Sequence, residues 1–174
     1  MTMTTAYDRL PAASPLVVTS EDFLDGEDLA VPQYSRLFGV PGGEDRSPQL
    51  AWTGAPATVK SYIVSMYDDG APTPSGLWHW MIADLPSTTG ELAAGLTELP
   101  AYSWTVKNDA RTRSFVGAAP ALGVTDRYTV AVHGLDIASV RELGLGVEST
   151  PGFILFTAAS HIVALGVITA LGRG

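Results

Sequence analysis

The sequence of 174 residues contains no cysteine and has only two lysines, Lys60 and Lys107. The absence of cysteine excludes disulfides, a thiol nucleophile and a thiolate metal site. Lys and Arg together number 10 against 18 Asp and Glu, which gives a net charge of −8. Nucleic acids and anionic membrane surfaces are recognised by clustered basic residues, so this balance argues against both as partners.

Several common catalytic and metal-binding signatures are also missing. The glycine-rich GVPGG at 39–43 is not followed by Lys-Ser or Lys-Thr, so it is not a phosphate-binding loop. No GxSxG motif marks a nucleophile elbow. The three histidines, His79, His133 and His161, lack the spacing of metal ligands. We therefore expect no metal and no cofactor.

The two ends of the chain lead to predictions about the cellular location of the protein and about its terminal elements. No basic segment followed by an apolar segment occurs in MTMTTAYDRLPAASPL, which predicts a flexible arm over residues 1–13 of a cytoplasmic protein. From Ser149 to Gly172 the chain carries no charged residue, a length that would suffice for a membrane span. Because this run contains proline, polar residues and several glycines, we predict instead a buried C-terminal helix, docked on the domain or on a dimer interface. Thr150 and Pro151 match its N-cap and first residue.

The 18 glycines and 12 prolines separate short apolar runs, as is typical of β proteins. SYIVSMYD (61–68) and LWHWMIADL (77–85) are rich in aromatic and β-branched residues, and RYTVAVHGLD (127–136) alternates between two faces. These strands predict a mainly β fold, a sandwich or barrel, in a single domain over residues 14–174. Further elements are predicted as strands at 14–23 and 103–109 and as a short helix near 137–143.

Three segments place polar residues in apolar or turn surroundings: YDDGAP (67–72), LWHW (77–80) and GAAPALGVTDRY (117–128). Each has an ordinary structural explanation by itself. Asp and Gly are expected where a strand ends in a turn, and a lone histidine in an apolar strand usually serves packing.

Taken together, these segments resemble the phosphatidylethanolamine-binding protein family, in its bacterial Raf-kinase-inhibitor-like branch. The family pattern runs SPxLxW, a strand into DPDAP, WHW or WHH, and a loop rich in Gly and Pro that leads into HRY. The matching segments here are SPQLAW at 47–52, DDGAP at 68–72, WHW at 78–80, NDARTRSFVGAAP at 108–120 and DRY at 126–128. Their order and spacing hold from residue 14 to residue 172.

The resemblance implies a Greek-key antiparallel sandwich, with a large sheet, a smaller sheet and a C-terminal helix. It implies a small solvent-open pocket for anions such as phosphate head groups, and it suggests a cis Ala71–Pro72 bond and a homodimer. On this resemblance the pocket residues are Asp68, Gly70, Pro72, Leu77, His79, Gly117, Ala119, Pro120, Asp126 and Tyr128.

The chain departs from the family pattern mainly at pocket positions. Gly70 stands where the family has its second acid, and Asp126 stands where it has a histidine. A carboxylate within about 4–6 Å of a phosphate repels it. We therefore expect weakened phosphate binding; drift of a pocket that is no longer used is the alternative explanation.

The resemblance places His79 in the pocket with Asp68 nearby. A neighbouring carboxylate is expected to raise the pKa of this imidazole and to fix its tautomer. With Asp126 and Tyr128, the group would form an acid/base unit without a covalent nucleophile. His133 falls on the opposite strand face from Tyr128 and is excluded from the site, and His161 is interpreted as structural.

Three functions remain open at this point. The first is a small-molecule-binding protein whose pocket is altered away from phosphate. The second is a cofactor-free enzyme, an isomerase, dehydratase or biosynthetic cyclase, in which His79, Asp68, Asp126 and Tyr128 are catalytic. The third is an inhibitor of a kinase or protease, which rests on family analogy alone.

Overall fold

The computed structural model describes residues 6–174, except for the side chain of Asp8. Within this range it contains ten strands, one α-helix and four short 3₁₀ turns. The strands and the helix are β1 (Ser14–Pro15), β2 (Val17–Thr19), β3 (Glu27–Asp28), β4 (Leu50–Thr53), β5 (Ser61–Asp68), β6 (Leu77–Pro86), β7 (Glu91–Leu92), β8 (Trp104–Thr105), β9 (Thr125–Leu135), α1 (Pro151–Ala158) and β10 (Ile162–Arg173). The 3₁₀ turns are Ala6–Arg9, Val31–Gln33, Val140–Leu143 and Ala159–His161.

The strands form a large sheet and a small sheet. The large sheet has the order β1-β10-β9-β5-β6-β8, with β3 also pairing to β10. Its central strands are antiparallel, whereas β1 and β3 run parallel to β10. The small sheet is antiparallel in the order β2-β4-β7. The predicted mainly β fold, a large sheet with a smaller one and a helix near the C-terminus, is confirmed.

The large sheet is covered on both faces. One face packs against the small sheet, with Trp52 and Tyr62 in edge-to-face contact 5.5 Å apart. The other face packs under α1, whose Ile154 and Leu155 meet Ile63 of β5. This double cover explains why β5 is buried along nearly its whole length and is apolar or small at almost every position.

The predicted long C-terminal helix is wrong over its second half. The helix begins as predicted, with the Thr150 hydroxyl accepting a hydrogen bond from the Phe153 amide and Pro151 at the first position, but it ends at Ala158. After the 3₁₀ turn Ala159–His161, the twelve residues Ile162–Arg173 form β10, which pairs with β9 along its length. Gly166 lets this strand lie close to Leu16, which joins β1 to β2, because a Cβ there would sit 2.8 Å from the Leu16 carbonyl oxygen.

The other predicted elements are present with adjusted ends. The strand predicted at 61–68 has these bounds, and those predicted at 77–85 and 127–136 differ by one or two residues at their ends. The strand predicted at 103–109 shortens to β8. The helix expected near residues 137–143 is a 3₁₀ turn at its second half.

The arm predicted for residues 1–13 is partly outside the described residues, which begin at Ala6. In the part that is described, Tyr7 is buried, and its hydroxyl lies 3.4 Å from the Ser65 hydroxyl. The arm is thus attached to the large sheet at this residue. Among residues 6–174, no helix combines the length and the hydrophobicity that a membrane span requires.

Candidate functional site

A cavity of about 650 Å³ opens where β5 ends and β6 and β9 begin. The sheet register creates it, since Asp68 pairs with Leu77 of β6 on one side and with Tyr128 of β9 on the other. The cavity is lined by Phe38, Val40, Asp68, Gly70, Ala71, Pro72, Leu77, His79, Ala119, Pro120, Ala121, Val124, Asp126 and Tyr128.

Two buried carboxylates share one part of the cavity wall. Asp68 is 4% exposed and Asp126 is 8% exposed. A Cβ built on Gly70 would lie 2.8 Å from Oδ1 of Asp126 and 3.4 Å from Oδ1 of Asp68, so both carboxylates lie beside this cavity residue. Asp126 therefore points into the cavity.

The pKa of Asp68 is raised to about 6. Burial is the main cause, and the nearby Asp126 carboxylate adds to it. The Gly70 amide, which donates to Asp68 Oδ1 at 2.8 Å, acts in the opposite direction by stabilising the ionised form. Asp68 therefore gains or loses its proton near pH 6. A group with this pKa is suited to acid/base chemistry at mildly acidic pH.

His79 is buried in the cavity wall with one ring nitrogen occupied. Its Nδ1 lies 2.8 Å from the Val116 carbonyl oxygen, a contact that requires the proton on Nδ1. The second nitrogen, Nε2, is then the acceptor. Burial lowers the pKa of His79 below its usual 6.5, so the ring is neutral at neutral pH.

The expectation that Asp68 raises the pKa of His79 is wrong. The carboxylates that favour its charged form are Asp109 and Asp45, and their effect is smaller than that of burial. The tautomer is set by the Val116 carbonyl instead of by a carboxylate. A neutral imidazole does not provide the positive charge that would attract an anion.

Tyr128 completes the polar part of the cavity. Its ring meets the His79 ring edge to face, with centroids 5.2 Å apart and planes at 81°. Burial, and then the nearby Asp68 and Asp126, raise the pKa of its hydroxyl far above the ordinary value. The phenol therefore stays protonated and can donate a hydrogen bond.

The turn at residues 108–112 holds His79 in place from outside the cavity. The Asn108 side-chain amide donates to the His79 carbonyl oxygen at 3.0 Å and to the Ser114 carbonyl oxygen at 2.9 Å. Asp109 Oδ2 accepts from the Trp78 amide at 2.8 Å. Both residues belong to the segment 108–120 that carries the family resemblance, but the sequence indicated no role for either side chain.

Nine of the ten predicted pocket residues line the cavity, and Gly117 does not. Its amide donates to Asp45 Oδ1 at 2.8 Å, and a Cβ there would lie 2.4 Å from the Gln33 carbonyl oxygen. Gly117 thus permits close backbone packing. Five lining residues were not predicted: Phe38, Val40, Ala71, Ala121 and Val124. Three of these lie within the three polar segments at 67–72, 77–80 and 117–128; Phe38 and Val40 lie outside them, and the GVPGG run that contains Val40 indicated no place in the pocket.

Three further predictions concern the Ala71–Pro72 bond, His133 and His161. The cis bond suggested at Ala71–Pro72 is wrong, since all peptide bonds in the described residues are trans. His133 lies outside the cavity, as strand alternation predicts: it is fully buried, with Nε2 3.3 Å from the Ser65 hydroxyl. His161 lies just after α1 and contacts Asp136 at 2.8 Å.

A second cavity, of about 480 Å³, is lined in part by Trp80 and Phe115, whose rings meet edge to face. Its charge is mixed, because Arg46 and Arg113 line it together with Glu44 and Asp45. The Arg113 guanidinium donates hydrogen bonds to the Thr105 and Val147 carbonyl oxygens and to the Glu148 carboxylate. The two arginines of this cavity are the cations that any titration with an anion must control for.

The fold is a β-sandwich of two packed sheets, with a cavity at the end of the central strands of the large sheet. Comparison with known proteins identifies the family. The sequence profile of the phosphatidylethanolamine-binding protein family matches residues 19–173. UPF0098 protein YbhB of Escherichia coli strain K12 is 35% identical over 158 residues, which is 87% of this chain and 96% of that protein. UPF0098 protein YbcL of the same strain is 37% identical over 116 residues, covering 64% of this chain and 63% of that protein.

Solved structures agree with the sequence matches. The crystal structure of E. coli YbcL, described as a new member of the mammalian PEBP family, superposes with a TM-score of 0.84 at 29% identity, covering 91% of this chain and 98% of that one. The homologue CT736 from Chlamydia trachomatis gives a TM-score of 0.76 at 19% identity over 93% of this chain and 99% of that one, which shows the shared fold. The chain belongs to the phosphatidylethanolamine-binding protein family.

Proposed function

We propose that the cavity at Asp68 and Asp126 binds a small neutral or cationic molecule and has lost the preference for phosphate. The observation that carries this proposal is the pair of buried carboxylates at one wall of the cavity. Of the described residues that line it, none is lysine or arginine, and His79 is neutral. The cavity thus offers negative charge without compensating positive charge.

The energetic consequence for an anion is large. Two like charges 4 Å apart repel by roughly 4 kcal/mol at an effective dielectric constant of about 20, which typifies a site near a protein surface. The Tyr128 hydroxyl offers a hydrogen bond, which adds only about 1 kcal/mol. Phosphate binding would therefore require protonation of the carboxylates.

The test is calorimetric titration with phosphoethanolamine and with inorganic phosphate at about pH 6, the midpoint of the Asp68 transition, and at about pH 8, where Asp68 is ionised. We expect no binding at the upper pH. Asp126→His, which restores the family residue at this position, should introduce or strengthen phosphate binding.

Arg46→Ser is the matched control, because it removes an arginine from the second cavity and leaves the first unchanged. Phosphate binding lost in Arg46→Ser belongs to the second cavity and leaves the proposal standing. Binding to the wild type at the upper pH that persists in Arg46→Ser and is lost in His79→Ala would overturn the proposal.

A second candidate function is acid/base catalysis on a neutral metabolite, in an isomerase, dehydratase or cyclase. Its basis is the combination of an Asp68 carboxyl with a pKa near 6, a neutral His79 with Nε2 as acceptor, and a protonated Tyr128. These groups supply a base, an acid and a hydroxyl donor without a cofactor.

The two functions differ in kinetics. For an enzyme, Asp126→Asn should reduce kcat more than it raises KM, and kcat/KM should follow a bell-shaped pH profile. For a binding protein, the same variant changes affinity, and no product forms on prolonged incubation. Location in the cytoplasm and a homodimer stay predictions.

A further inference from the structure

We propose that the ligand of the Asp68–Asp126 cavity is an organic cation, an ammonium group on a small apolar body, with Asp126 as its principal acceptor. This inference rests on the proposed function and specifies its ligand class. It starts from Asp126, a carboxylate that is more than nine-tenths buried and faces a cavity. Within residues 6–174, no hydrogen-bond donor contacts its oxygens.

Asp68 has a donor of its own, and this difference assigns separate roles. The Gly70 amide holds Asp68 Oδ1 at 2.8 Å, whereas Asp126 Oδ1 faces the space beside Gly70 with no donor of the protein. Buried carboxylates in proteins are normally paired or hydrogen-bonded. The missing partner of Asp126 is therefore expected from the ligand.

An ammonium group matches the geometry at Gly70. The Asp126 and Asp68 oxygens both approach the Cβ position of Gly70, at 2.8 and 3.4 Å, so they lie close enough together for one nitrogen on the cavity side to contact both carboxylates. An ammonium carries several donors and a positive charge, so it satisfies two acceptors and neutralises a like-charge pair. An alcohol has a single hydroxyl proton and supplies no charge.

Nearby cations of the protein do not compete for this position. Arg127 follows Asp126 in the chain, but its guanidinium pairs with Asp69, and neither residue lines the cavity. Asp69 is therefore a suitable reference acid: it lies close to the cavity and carries the same charge, but it has its own partner.

The remaining wall of the cavity fits a hydrocarbon body. Apolar side chains come from three separate segments: Phe38 and Val40, Pro72 and Leu77, and Val124. The volume of about 650 Å³ is in the range of small-molecule sites. Apolar walls with a few convergent polar groups are the usual composition of such sites, here with acidic polar groups.

The experiment compares three probes that share one body: benzylamine, benzyl alcohol and benzoate, titrated into the full-length protein at about pH 7.5, where the amine is protonated and benzoate ionised. We expect benzylamine to bind at least about tenfold more tightly than benzyl alcohol, as a charge-assisted hydrogen bond predicts, and benzoate not to bind. This comparison needs only the wild type.

Two variants then locate the interaction. Asp126→Asn keeps the size of the side chain and should reduce benzylamine affinity about tenfold while changing benzyl alcohol affinity less than about twofold. Asp69→Asn removes the same charge outside the cavity and should change benzylamine affinity less than about twofold. Equal losses in both variants would overturn the assignment to Asp126, since they would report net charge alone.

The probe outcomes separate this inference from the proposed function. Equal affinities for amine and alcohol overturn the cationic class but leave a cavity for neutral ligands. Tightest binding of benzoate, retained in Arg46→Ser, overturns both. No detectable binding of benzylamine overturns the cationic class, and the phosphate titrations then decide the proposed function independently.

Discussion

The carboxylate of Asp126 occupies the space that a side chain at position 70 would need. A Cβ on Gly70 would lie 2.8 Å from Asp126 Oδ1 and 3.5 Å from its Cγ. The absence of a side chain at position 70 and the presence of an acid at position 126 are therefore sterically linked. The acid at this wall belongs to β9, and the turn after β5 leaves room for it at Gly70.

This contact predicts energetic coupling between positions 70 and 126. Gly70→Ala should destabilise the protein by about 1 kcal/mol, because the new methyl group displaces the Asp126 carboxylate. In an Asp126→Ala background the same substitution should cost nothing measurable, since the space is then free. Urea unfolding of the four proteins gives the coupling free energy, and additive effects would contradict the contact.

Asp68 makes a separate prediction about stability and pH. Its pKa in the folded protein, about 6, lies above the 3.8 of an unperturbed carboxyl, so the folded state binds the proton more tightly than the unfolded state does. Its contribution to stability is complete below pH 3.8 and is lost as the pH rises through 6. Asp68→Asn should therefore gain about 1–2 kcal/mol relative to the wild type between pH 4 and pH 7.

The measurement for Asp68→Asn is chemical unfolding of both proteins across this pH range. An asparagine oxygen still accepts from the Gly70 amide, so the variant retains this contact. A stability difference that does not change with pH would show that Asp68 has an ordinary pKa.

His133 should have the opposite pH dependence. Burial lowers its pKa from 6.5 to about 3, so the folded state disfavours the protonated ring. Its contribution is complete above pH 6.5 and is lost as the pH falls toward 3. Between pH 7 and pH 4, the wild type should lose about 2–3 kcal/mol more than His133→Leu, which cannot take up this proton.

Unfolding curves of the wild type and His133→Leu at several pH values test this prediction. The variant also removes the partner of the Ser65 hydroxyl, so its stability at neutral pH is expected to be lower. The change with pH is the informative quantity. Parallel pH profiles of the two proteins would contradict the prediction, because they would show that His133 has the same pKa in the folded and unfolded states.

The protonation state of His79 is directly observable. We expect nitrogen-correlated NMR to show a proton on Nδ1, hydrogen-bonded to the Val116 carbonyl oxygen, and a neutral ring at about pH 7. The ring should remain neutral below the usual pKa of 6.5, because burial disfavours its charged form. A proton on Nε2, or titration above 6.5, would contradict the structure at this residue.

Local sequence was sufficient for several elements of the fold. The strands at 61–68, 77–86 and 125–135 are runs of β-branched and aromatic residues between turn residues, and the pattern predicted them closely. Thr150 and Pro151 likewise mark the start of α1 by the chemistry of a helix N-terminus. Such signals are local, so they are present in the sequence itself.

The run from Ile162 to Arg173 shows where local information ends. An uncharged apolar segment is compatible with a buried helix and with a buried strand. It becomes a strand because β9 pairs with it on one edge and β1 and β3 on the other, contacts that join distant parts of the chain. Gly166 and Gly172 allow the close approach of Leu16 and of the Tyr128 ring.

For the candidate site, too, some features follow from the sequence and others only from the tertiary structure. The sequence by itself determined which polar residues stand at strand ends, and nine of the ten predicted pocket residues do line the cavity. Only the tertiary structure decided that Asp126 turns inward, that Phe38 and Val40 close the wall, and that His79 is neutral. Burial and distances between carboxylates govern the charge of each group, and both arise only when the strands are brought together.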